Sequence, residues 1–87
     1  VRRDHWDDID ITRMMEELAE IYTLAAEDSD IKFDLYTEHN LHVFADRQLL
    51  AQATTNLLDN AIKYTPKGGK IQLKSYRTSE TLTITVA

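Results

Sequence analysis

Two carboxamides and an ammonium, those of Asn56, Asn60 and Lys63, follow one another at helical spacing in Asn56-Leu57-Leu58-Asp59-Asn60-Ala61-Ile62-Lys63-Tyr64-Thr65-Pro66. At about 100° per residue they fall within roughly 60° of one another on a helix, beside an apolar face formed by Leu50, Ala53, Leu57 and Ala61. Packing alone does not explain such a stripe. An unpaired buried amide costs roughly 1–3 kcal/mol, so the stripe either faces water or meets a polar ligand. A carboxamide oxygen is a hard donor suited to Mg²⁺, and a lysine one turn further on can meet phosphate. Amides that merely cap or bridge neighbouring backbone would account for the asparagines alone, but not for the Lys63-Tyr64-Thr65-Pro66 that follows them.

This segment, preceded by Ala45-Asp46-Arg47-Gln48-Leu49-Leu50 and followed by Gly68-Gly69-Lys70-Ile71, closely resembles the N box of bacterial sensor histidine kinases. The strict motif is confined to residues 45–71, and a compatible pattern of helices and strands runs over nearly the whole chain. The resemblance implies the N-terminal part of a catalytic ATP-binding domain of the GHKL type. In that setting Asn60 ligates Mg²⁺, Lys63 contacts the phosphates of ATP, and Asn56 and Tyr64 line the same pocket. Related gyrase-type ATPases carry a water-activating acid one turn before the metal asparagine, where this chain has Asn56. That difference suits transfer of a phosphoryl group to a side chain and not to water. The resemblance assigns ATP and Mg²⁺ as cofactors and gives no residue here a catalytic role. It implies as partners a helical phosphoacceptor domain of the same protein, a response regulator and a second copy of the protein, and no nucleic acid. It also implies a cytoplasmic domain whose parent is anchored in the bacterial inner membrane through other segments.

Members of that family continue with an Asp-x-Gly-x-Gly box that reads adenine, and this chain reaches Ala87 where the box would begin. His5, in Asp4-His5-Trp6-Asp7, does not match a His-Glu-Leu-Arg-Thr-Pro type of phosphoacceptor box. The expectation is therefore a portion of a larger kinase that is inactive by itself. The alternative is a non-enzymatic docking module with a degenerate ATP-binding fold, against which the complete N box argues.

The 87 residues suffice for one small domain with little stability in reserve. With 43% hydrophobic and 29% charged residues the composition is globular, and no apolar run approaches a membrane span of about 20 residues. There is no recognisable signal or transit peptide. The absence of cysteine excludes disulfides and thiolate metal sites. Residues 63–77 hold Lys63, Lys67, Lys70, Lys74 and Arg77 and no acid, a local +5 that leaves −10 for the remainder of a chain with net charge −5. A basic strip beside the asparagines would attract a polyphosphate, although Lys67, Lys70 and Lys74 read more simply as a solvated turn and strand face. His39 and His42 have ligand-like spacing, but three residues apart on extended chain they point to opposite faces and cannot easily chelate.

These residues must be held by a scaffold that periodicity outlines. Residues 1–8 read as a linker from a preceding dimerisation and phosphoacceptor domain, with Trp6 as an anchor, and residues 9–87 as a partial catalytic domain. Asp10 or Thr12 caps a helix with apolar positions Ile11, Met14, Met15, Leu18, Ile21, Tyr22 and Ala25, which the acidic Glu27-Asp28-Ser29-Asp30 terminates. Residues 31–36 and 41–45 read as a β-hairpin, and Asp46 caps a second helix over residues 47–64 that ends at Pro66 and Gly68-Gly69. Residues 71–74 and 82–86 alternate as strands about a turn at 77–80. The resulting fold class is α/β (α+β): a truncated two-layer sandwich of the Bergerat type, with two helices on one face of a mixed sheet.

Overall fold

Asp10 closes a strand and opens a helix. The computed structural model describes residues 5–87. In it β1 (Trp6–Asp10) runs directly into α1 (Ile11–Asp28), and the Asp10 carboxylate accepts from the Arg13 backbone N–H at 3.0 Å. After α1 come β2 (Lys32–Thr37), β3 (His42–Asp46), α2 (Arg47–Tyr64), β4 (Lys70–Thr78) and β5 (Thr81–Val86).

Residues 6–8, read as part of a linker, lie in β1. Residues 1–4 lie outside the described residues, while Trp6, Asp7 and Asp8 pair antiparallel with β3, in register Trp6↔Asp46 to Asp10↔His42. Ile9 is fully buried, and the Trp6 ring tilts onto Phe44 at 5.9 Å, so the anchoring expected of Trp6 extends to the whole segment.

The strands form two ladders. One is β1–β3; the other is a mixed three-stranded sheet in the order β2-β4-β5, with β2 parallel and β5 antiparallel to β4. The β4–β5 hairpin is as expected, with a tighter turn at Ser79 and Glu80. The expected β2–β3 hairpin does not form. Its competitor is the side chain of Thr12, which donates to the Glu38 carbonyl at 2.6 Å and accepts from the Leu41 N–H at 3.0 Å. The Ile11 N–H also donates to the Leu41 carbonyl at 2.7 Å. These bonds turn the connection across the start of α1 and hand β3 to β1. Short-range sequence pattern cannot see this choice, because the partners are 26 to 29 residues apart.

Alternation along β4 points Ile71, Leu73 and Ser75 inward; Ile71 and Leu73 join the core with residues of both helices, and the Ser75 hydroxyl meets that of Thr37 on β2. One core cluster joins Ile9, Ile11, Met14, Met15, Tyr22, Leu41, Leu58 and Leu73, and a second joins Ala26, Ile31 and Ile71. The buried stripe of α1 departs from the expected one at Ile21, which is 62% exposed; Thr12, Ala19 and Ala26 are buried instead. In α2 the packed residues are Thr54 and Leu58, with Leu50 and Ala61 half-buried, whereas Ala53 and Leu57 of the expected apolar face are exposed.

The turn after α2 is clamped onto the start of β2. Gly68 (φ 86°) donates to the Asp30 carbonyl at 2.8 Å, Gly69 donates to the Pro66 carbonyl at 2.9 Å, and Lys32 donates to the Gly69 carbonyl at 3.0 Å. A Cβ on Gly69 would lie 2.5 Å from Thr65 Cγ2 and 2.9 Å from the Pro66 oxygen, so backbone would have to move. Gly69→Ala is therefore expected to cost about 1–3 kcal/mol, read as a lowered urea midpoint; an unchanged midpoint would show that the turn relaxes freely.

Candidate functional site

The stripe is carried by a helix fixed at both ends. Asp46 caps α2 by accepting from the Leu49 N–H at 3.1 Å, and the Thr65 N–H closes the last turn on the Ala61 carbonyl at 3.0 Å. Leu58 is fully buried, and at 100° per residue Asn56, Asn60 and Lys63 point to the opposite side. All three are exposed. Among the described residues neither asparagine side chain makes a hydrogen bond, so their amide dipoles are left for water or a ligand. The Lys63 ammonium lies 5.2 Å from the centroid of the Tyr64 ring, and Tyr64 is 72% exposed. The four residues singled out in the sequence thus share the solvent side of one helix, flanked by the exposed Leu49 and Leu57. They form a face and not a walled cavity. Open clefts of about 560, 380 and 220 Å³ are lined by other residues, the first by Asp10, Thr12, Arg13, Glu16, His39 and Asn40.

Most of the basic strip is committed elsewhere. Lys67 pairs with Asp30 at 3.5 Å and Lys70 with Asp34 at 4.0 Å, both at the surface, where such pairs contribute about 0–1 kcal/mol. Lys74 lies 6.0 Å from the centroid of the Tyr36 ring. The Arg77 guanidinium donates to the His42 carbonyl, and the Arg77 backbone N–H donates to the Glu38 carboxylate. The turn-and-strand reading of Lys67, Lys70 and Lys74 holds, and Lys63 is the member of the strip that shares the asparagine face.

His42 Nδ1 sits 3.2 Å from Asp8 Oδ2 and does not meet His39. Among the described residues no group of three or more His, Cys, Asp or Glu could hold a metal ion. On the Asn56, Asn60 and Lys63 stripe of α2 the donors available to a hard cation are amide oxygens.

Sequence reasoning missed one contact of this helix. Asp59, to one side of the stripe, accepts a 2.6 Å hydrogen bond from the Tyr22 hydroxyl of α1. Burial, then the hydrogen bond and charge of Asp59, push the Tyr22 phenol up to about 12. A tyrosine on the buried stripe of α1 was the available signal, because a buried phenol hydroxyl needs a partner.

No family model matches the chain. It is 31% identical over 85 residues to the sensor-like histidine kinase SenX3 of Mycobacterium tuberculosis, a match covering 98% of this chain and 21% of that protein. It is 33% identical over 84 residues to the adaptive-response sensory kinase SasA of Crocosphaera subtropica, covering 94% of this chain and 22% of that protein. The chain spans about a fifth of the length of these curated relatives. Among solved structures, the nucleotide-free catalytic domain of histidine kinase ThkA matches with a TM-score of 0.86 at 26% identity, over 93% of this chain and 56% of that one. ThkA in complex with the response regulator protein TrrA matches with a TM-score of 0.84 at 26% identity, over 93% of this chain and 25% of that one. No helix among the described residues is long and apolar enough to cross a membrane.

Proposed function

The chain is a relative of the sensor histidine kinases and has the fold of their catalytic domain, and from that premise we propose that it forms the Mg²⁺- and phosphate-binding part of a kinase's ATP site. The whole protein would transfer a phosphoryl group from ATP to a histidine on a separate helical domain and signal to a response regulator. The observation that carries this reading is the set of unpartnered amides of Asn56 and Asn60, displayed with Lys63 on the side of α2 opposite the buried Leu58.

The residues fit the cofactor. Asn60 would hold Mg²⁺ through its amide oxygen, Lys63 would meet the phosphates, and Asn56 and Tyr64 would border the same face. Bound Mg²⁺ would neutralise the charge on the phosphates being transferred. The protein's share is placement: α2, capped at Asp46 and packed through Leu58, presents the two amides and the ammonium without rearrangement. Intact donors displayed in this way favour a nucleotide site over a module that only docks a partner.

The complex of ThkA with its response regulator supports a response regulator as partner of the whole protein. A second copy and a helical phosphoacceptor domain complete the proposed assembly, with this domain in the cytoplasm and the membrane anchor in other segments. Calorimetric titration of the whole protein with ATP, in Mg²⁺ and again in excess EDTA, tests the reading. The expected result is binding in Mg²⁺ that weakens at least about tenfold in EDTA, equivalent to about 1.4 kcal/mol. Equal affinities would remove the metal from the site, and no binding in either buffer would overturn the nucleotide reading.

A further inference from the structure

The ties of α2 to the rest of the molecule are uneven. On its inner side Thr54 and Leu58 are buried, but the Thr54 and Thr55 hydroxyls return to carbonyls of their own helix, those of Leu50 and Gln52. Among the described residues, apart from the N-cap that Asp46, the residue just before α2, places on the Leu49 N–H, one side-chain hydrogen bond joins α2 to another element: the Tyr22 hydroxyl donates to Asp59 at 2.6 Å. Apolar contact is non-directional, so packing on Leu58 leaves rotation of the helix about its axis comparatively soft. A short bond to a carboxylate is directional. At 100° per residue Asp59 stands about 100° from the buried Leu58 and about 100° from Asn60, on the shoulder between core and stripe. A rotation that displaces Asn60 must therefore strain the Tyr22 bond, and Tyr22 is itself seated in the core with Ile9, Met15 and Leu73.

We propose that Tyr22 and Asp59 are a positioning pair that sets the rotation of α2, and with it the place of Asn56, Asn60 and Lys63 against a Mg–nucleotide ligand. The pair touches no ligand and acts through the asparagines. This inference rests on the nucleotide reading above.

The test is made on the whole protein with Mg-ADP as probe. Tyr22→Phe deletes one hydroxyl and keeps the ring in the core. It should weaken Mg-ADP binding about three- to tenfold, the range of one lost hydrogen bond, and should shift the side-chain amide resonances of Asn56 and Asn60 in the ligand-free protein. Asp59→Ala should match that loss, whereas Asp59→Asn, which keeps an acceptor oxygen, should restore most of the affinity. A bond that served stability alone would lower the melting temperature and leave affinity and the asparagine resonances in place. A folded Tyr22→Phe protein with wild-type affinity and unshifted resonances overturns the positioning pair, as does an Asp59→Asn protein as weak as Asp59→Ala. If Tyr22→Phe does not fold, the comparison of the two Asp59 variants decides. Wild-type protein that binds no Mg-ADP overturns the nucleotide reading and this inference with it; binding that is insensitive to all three substitutions sinks this inference alone.

Discussion

Asn60→Ala in the whole protein is expected to abolish Mg²⁺-dependent ATP binding and autophosphorylation while leaving the fold intact. The two halves of that result have separate causes. Asn60 is exposed and its side chain has no hydrogen-bond partner among the described residues, so its removal should change stability by no more than about 0.5 kcal/mol. Alanine is also the better helix former. Loss of binding follows because a methyl group offers a hard cation nothing, and no other side chain one turn away supplies the same oxygen except Asn56, already assigned to the same face. Lys63→Ala should weaken binding less, because one contact through a flexible, solvated ammonium is worth only about 1–3 kcal/mol. Phosphorylation and nucleotide affinity at wild-type level in Asn60→Ala would take Asn60 out of the role, and a larger effect at Lys63 would reverse the ranking.

The placement of the candidate stripe on one helix was more legible in the sequence than the strand pairing was. Helical spacing alone places Asn56, Asn60 and Lys63 on one side of a helix, and the caps Asp10 and Asp46 act within three residues of themselves. Such local signals carry their own geometry. The phase of the buried side was harder to read: Leu57 and Leu58 are adjacent and identical in type, and the core is centred on the second. Ile21 misleads in the same way, since an apolar residue at a plausible phase reads as core wherever it actually points. The choice of β1 over β2 as partner of β3 depends on Thr12 reaching Glu38 and Leu41, and the Tyr22–Asp59 bond spans 37 residues. Polar contacts at that separation leave no periodic trace. The basic strip was legible in composition but not in its commitments, because Asp30, Asp34 and Glu38 lie on the neighbouring strand or its flanks and not within the strip.

The pair Leu57 and Leu58 yields the second large effect. Leu58→Ala in this chain should cost about 2–5 kcal/mol, because Leu58 is fully buried among core residues of α1, β1 and β4, and truncation leaves a cavity. That is a large share of the roughly 5–15 kcal/mol that holds a typical domain, and 87 residues bury proportionally little surface. Leu57→Ala, at a side chain 48% exposed, should stay within about 0.5 kcal/mol. Urea unfolding followed by circular dichroism decides between them, and equal losses at the two positions would mean that α2 is rotated from the placement described. Binding measurements on the whole protein sharpen the same contrast. Leu58 lies on the far side of α2 from Asn60, so its truncation should reduce the fraction of molecules folded more than the nucleotide affinity of those that remain folded. Leu57 borders the stripe, and its truncation should leave the folded population unchanged, so any loss of affinity there must come from the exposed face itself.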